Sequence, residues 1–86
     1  MDSIKLKGLR VGTGLTQEQI SKELGMATKT YNRKELGLVE FTRDEISKLA
    51  KILDMSLQQV NEIFFENKLT NRLSEQNHTS YDNLII

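Results

Sequence analysis

The stretch Gly14–Gly37, GLTQEQISKELGMATKTYNRKELG, holds two short helical patterns separated by one glycine, with a further glycine just past the second. Thr16-Gln17-Glu18-Gln19 has the form of a capping box, in which the hydroxyl accepts from a backbone N–H three residues on and Gln19 reaches back. Ile20 and Leu24 then share one helical face, and Gly25 suits the left-handed position that closes a helix. The second pattern, Thr28 to Glu35, spans about two turns, roughly 12 Å at 1.5 Å per residue. A helix this short does not hold in water by itself. The sequence therefore predicts that its neighbours prop it, through Tyr31 and the aliphatic part of Lys34. Between Met26 and Lys34 lie three basic residues, Lys29, Arg33 and Lys34, and no acidic one.

Outward from this stretch the pattern stays helical. Ile4, Leu6, Leu9 and Val11 form a short apolar repeat that Gly12 and Gly14 are expected to end. Thr42-Arg43-Asp44-Glu45 and Ser56-Leu57-Gln58-Gln59 repeat the capping-box form. Ile46, Leu49, Ala50 and Leu53 follow the first of these, and Leu57, Val60, Ile63 and Phe64 run on from the start of the second, all at the spacing of a buried helical stripe. No useful strand alternation is present. The sequence predicts an all-α domain of five short helices over residues 1–65. Residues 66–86 read as a polar tail that frays or is disordered, although it ends in Leu84-Ile85-Ile86.

Composition narrows the function. The chain has 86 residues, 37% hydrophobic and 28% charged, which suits one small domain. With no cysteine, disulfides and thiolate metal sites are excluded, and a cytoplasmic setting is mildly favoured. No apolar run approaches the roughly 20 residues of a membrane span. Twelve basic and twelve acidic residues balance, so any case for nucleic acid rests on where the charges sit. Catalysis finds little support: there is one histidine, His78 in the polar tail, and no glycine-rich phosphate loop. Asp44 and Glu45 are accounted for by the positive end of a helix dipole rather than by a metal. No metal, cofactor or small-molecule ligand is expected.

Two helices joined by a tight glycine turn form the helix-turn-helix arrangement. Its second helix enters the major groove, about 12 Å wide, and offers its N-terminal residues to base edges. The segments LKGLRVGTGLTQEQISKELGMATKTYNRKELG and FTRDEISKLAKILDMSLQQVNEIFF together resemble the phage repressor/Cro/Xre helix-turn-helix family. GLTQEQ before the first motif helix, LG at its end, Glu35-Leu36-Gly37 after the second and the linking LAKILDMS carry the resemblance.

The resemblance implies a compact five-helix, lambda-repressor-like domain. It implies a prokaryotic or phage-encoded repressor that binds double-stranded operator DNA, usually as a homodimer. It implies base contacts from Thr28, Lys29, Asn32 and Arg33. Arg33 can pair with guanine O6 and N7, Asn32 with adenine or with a neighbouring side chain, and Thr28 with a thymine methyl. Phosphate contacts are implied at Thr16, Gln17, Lys34 and Arg43, which would set register without reading sequence. Arg10 and Glu35 match a family ion pair that orients the recognition helix. Two departures stand out. Ala27 occupies a capping position that usually holds serine or threonine, which either leaves a backbone N–H free or passes the cap to Thr28. Leu36 replaces a common asparagine. Near-zero net charge implies modest non-specific affinity with strong salt dependence.

Plainer readings stand beside these. Lys29, Arg33 and Lys34 can be a solvated face, and Tyr31 a core prop rather than a base-stacking group. The two apolar stripes are core by default, with part of the second open to a dimer surface. Another function class uses the same fold against a protein, as an antirepressor or as an antitoxin whose apolar end, Tyr81 to Ile86, folds onto a toxin.

Overall fold

Five helix starts set the architecture, and four of them are capped by a side chain. In the computed structural model, which describes residues 1–65, these begin α1 (Ser3–Gly12), α2 (Gln17–Leu24), α3 (Thr28–Glu35), α4 (Arg43–Ile52) and α5 (Leu57–Phe64). The expected tail, including His78 and Tyr81–Ile86, lies outside the described residues. No strand occurs among the described residues.

All three capping boxes form. The Thr16 hydroxyl accepts from the Gln19 N–H at 3.0 Å while Gln19 accepts from the Thr16 N–H at 2.9 Å. Thr42 with Glu45, and Ser56 with Gln59, repeat this reciprocal pair. The sequence reading missed a fourth cap, Asp2, whose carboxylate accepts from the Lys5 N–H at 3.0 Å and starts α1 one residue before Ile4. Helix α3 starts from Ala27 with no side-chain cap.

The helix ends are equally regular. At Gly25, φ is 72°, in the left-handed region where a side chain costs free energy. There the Met26 N–H reaches the Ser21 carbonyl at 2.9 Å and the Gly25 N–H reaches the Lys22 carbonyl at 3.2 Å, the Schellman pairing. The same pairing closes α1 at Gly14, α3 at Gly37 and α4 at Asp54, the last with φ 52°. Gly12 stays helical, so Gly14 alone makes the turn expected of both.

Helix α2 packs on α3 and α4, α1 touches α3 and α5, and α4 touches α5. The core is Leu6, Ile20, Leu24, Tyr31, Phe41, Leu49, Leu53 and Ile63. Phe41 lies 6.0 Å from the Tyr31 ring and 5.6 Å edge-on from Phe64, the separation at which aromatic pairs attract. The Asp2 N–H donates to the Ile63 carbonyl at 2.7 Å and ties the start of the chain to α5.

Not every apolar repeat is inward. Ile4 is 84% exposed and Leu57 85%, so each apolar stripe loses its first member. Both sit in the first turn of a terminal helix, at the edge of the packed layer. Leu36, Leu38 and Val39, between α3 and α4, are also exposed. Beside them Met1, Val39, Phe41, Ile46, Phe64 and Phe65 line a shallow hollow of about 410 Å³.

The bare start of α3 gives a stability prediction. Ala27 already has the extended backbone of a cap residue, φ −68° and ψ 148°. Ala27→Ser should stabilise the domain by about 1 kcal/mol and raise Tm by roughly 4–8 °C. Thermal melts followed by circular dichroism check this; an unchanged Tm would mean water already serves those N–H groups equally well.

Candidate nucleic-acid interface

Helix α3 divides by face. Tyr31 is fully buried, and its ring fills the core behind the helix, which makes it the prop the sequence suggested. On the outer face, Lys29, Thr30 and Arg33 are exposed and make no hydrogen bond or ion pair among the described residues.

The other polar side chains of α3 are held. Ser21 donates its hydroxyl hydrogen to the Glu18 carbonyl at 2.8 Å. The 3.1 Å contact between Ser21 and Thr28 is therefore a donation from Thr28. Thr28 is thus tied to α2 and does not take over the missing cap. Lys34 is 8% exposed, and its ammonium lies 2.6 Å from Glu45 and 6.0 Å from the Phe41 ring centre. The sequence suggested the aliphatic part of Lys34 as a second prop, and the resemblance implied a phosphate contact; the structure turns Lys34 inward as a prop, where its ammonium joins α3 to the capping box of α4.

Glu35, 3% exposed, gathers donors from three helices. Arg10 grips it twice, Nε to Oε2 at 2.7 Å and Nη2 to Oε1 at 3.2 Å. The Tyr31 hydroxyl donates to Oε2 at 2.8 Å and Gln17 Nε2 to Oε1 at 2.9 Å. Arg10 spends its remaining nitrogen on the Leu15 carbonyl at 2.9 Å, which fixes the turn before α2. Burial pushes the Glu35 carboxyl upward, but the hydrogen bonds from Arg10, Gln17 and Tyr31 outweigh it and hold its pKa below the usual range. Burial, then the bond to Glu35, pushes the Tyr31 phenol far up. At Glu45, burial likewise acts upward, and the Lys34 and Thr42 hydrogen bonds bring the carboxyl below its ordinary value.

These shifts fix a sign. A carboxylate with a depressed folded pKa adds stability that is complete above its unfolded value, about 4.3 for glutamate. That stability is lost as pH falls through the lower folded value. Tm should therefore drop as pH falls from about 5 to 3. Glu35→Gln should start lower and show a shallower acid slope; equal slopes would remove Glu35 from the acid response.

The expected phosphate-contacting positions divide as well. Thr16 and Arg43 are exposed at the starts of α2 and α4. Gln17 is half-buried, with its amide nitrogen on Glu35 and its amide oxygen accepting from Asn32 Nδ2 at 3.2 Å. Lys7, Arg10, Thr16, Gln17, Glu18 and Asn32 line an open hollow of about 740 Å³. Lys7 was not singled out in the sequence; its place one turn before Arg10 on α1 was the available signal.

Among the described residues no group of His, Cys, Asp or Glu could hold a metal ion, and no helix is long and apolar enough to cross a membrane. Comparison with curated proteins and with solved structures gave no match. A helix-turn-helix family model matches residues 6–60, from Leu6 on α1 to Val60 on α5, and so covers the whole α2–turn–α3 unit. The chain thus belongs to the helix-turn-helix family of the Cro/C1, Xre-like type, whose members are DNA-binding regulators.

Proposed function

We propose that the protein is a repressor that binds operator DNA as a homodimer with α3 in the major groove. One observation carries this reading. Among the described residues Lys29 and Arg33 stand outward without partners, while Thr28, Asn32, Lys34 and Glu35 are bonded into the frame that supports them. Cations left unneutralised on a propped two-turn helix suit an anionic groove about 12 Å wide. In this reading Arg33 and Lys29 read bases, and Asn32 reads through its remaining polar atoms. Thr28 contributes its position rather than its hydroxyl. Thr16 and Arg43 contact phosphate from the starts of α2 and α4, where the helix dipole favours an anion. Lys34 positions α3. A dimer places its two recognition helices about 34 Å apart, one helical turn of DNA. Occupying an operator obstructs transcription from it, which makes repression the direct outcome.

Selection of bound duplexes from random DNA tests the proposal. The expected result is a near-palindromic consensus with half-sites one turn apart and an affinity that falls steeply with salt. The exposed Leu36, Leu38 and Val39 beside α3 favour a second reading, a module that meets a protein through this face. If the selection yields no consensus at low salt while the chain binds a defined protein partner, that second reading replaces the first.

A further inference from the structure

Gln17 bridges two side chains whose roles differ. On one side it meets Glu35, a carboxylate that only accepts hydrogen bonds; on the other it meets Asn32, whose amide can present either of two edges. Glu35 thereby fixes which way Gln17 points. Turned over, Gln17 would set its oxygen against Glu35 Oε1, which already lies 3.2 Å from Arg10 Nη2 as an acceptor. With the Gln17 nitrogen committed, its oxygen faces Asn32, and Asn32 must offer Nδ2 in return. The polarity set by the Arg10–Glu35 pair thus passes through Gln17 to a side chain on α3.

We infer that Gln17 is a specificity-determining positioning residue: through the Glu35–Gln17–Asn32 relay it locks the Asn32 amide in one orientation for reading adenine. The inference rests on the DNA-binding reading above. One Nδ2 hydrogen is spent on Gln17, which leaves Oδ1 and the second hydrogen of an amide that borders the open hollow beside Lys7 and Thr16. A paired acceptor and donor is the pattern that meets adenine N6 and N7. An unlocked amide could turn over and offer the reverse pattern, so the relay sharpens the choice of base. It also changes the expected role of Gln17: a phosphate contact strengthens binding to every sequence equally, whereas the relay acts at one base pair.

The test uses the full chain and the consensus found by selection. Asn32→Ala should reduce discrimination at one base pair by about 5- to 150-fold, which identifies the pair. Gln17→Ala should relax discrimination at that same pair by roughly 3- to 10-fold, a fraction of the Asn32 loss, and leave other positions unchanged. In the Asn32→Ala background, Gln17→Ala should add no further loss of discrimination. Equal weakening across all sequences, with discrimination intact, overturns the inference and returns Gln17 to phosphate contact. A second measurement needs no DNA. The side-chain amide signals of Asn32 in the free protein should shift and exchange faster in Gln17→Ala; unchanged signals overturn the relay even if the protein binds its operator. A wild-type selection with no consensus overturns the DNA-binding reading, and the inference with it, whatever the amide signals show.

Discussion

Glu35→Ala is expected to remove about half of the stability of the domain. The carboxylate accepts four hydrogen bonds, from Arg10 twice, Tyr31 and Gln17, and is 3% exposed. Its removal strands a buried guanidinium, a buried hydroxyl and an amide at once. Breaking a buried pair by removing one partner costs about 3–5 kcal/mol. A domain of this size has roughly 3–10 kcal/mol in total. Removing both charges together, as Arg10→Met with Glu35→Leu, should cost less than the single change, because no buried charge is left alone. Urea denaturation of the three proteins measures this. A Glu35→Ala variant that loses under about 1 kcal/mol, or a double variant worse than the single, would show that the pair does not hold the frame.

Arg33→Ala should do the reverse, removing binding and sparing the fold. Arg33 is exposed and has no partner among the described residues, so its loss should change stability by less than about 0.5 kcal/mol. A bidentate arginine–guanine contact is worth about 1–3 kcal/mol. Two copies in a dimer make that roughly 30- to 20,000-fold in operator affinity. Parallel thermal melts and titrations of labelled operator give both numbers. Loss of binding together with a Tm drop of several degrees would make Arg33 structural, and unchanged binding would remove it from the interface.

Local sequence carried most of the fold. Thr16/Gln19, Thr42/Glu45 and Ser56/Gln59 each write a helix start within four residues, and each is found. Helix α3 has no such cap, and its bounds follow instead from the left-handed glycines on either side, Gly25 and Gly37. Periodicity, however, marks a face and not what covers it. Leu57 fits the stripe of α5, yet among the described residues it stays exposed. Pairings across the chain were legible least. Gln17 to Asn32, Gln17 to Glu35 and Lys34 to Glu45 join residues 15, 18 and 11 apart, on different helices. No local spacing announces such pairs; for Arg10 and Glu35 only the family resemblance suggested one. The family resemblance implied phosphate roles for Gln17 and Lys34, while the partners that hold their polar ends, Glu35, Asn32 and Glu45, lie beyond any local spacing.

The division of α3 into tethered and untethered side chains bears on how such a domain could acquire a new target. Positions 29 and 33 can change identity without disturbing any bond beneath them. Position 32 cannot, because it is fastened to α2. Under the proposed DNA-binding function, new operators would be reachable by small steps through two sites that can drift without loss of folding. A change at the third calls for a matching change at residue 17, so the vocabulary open to descendants of this chain is uneven from letter to letter.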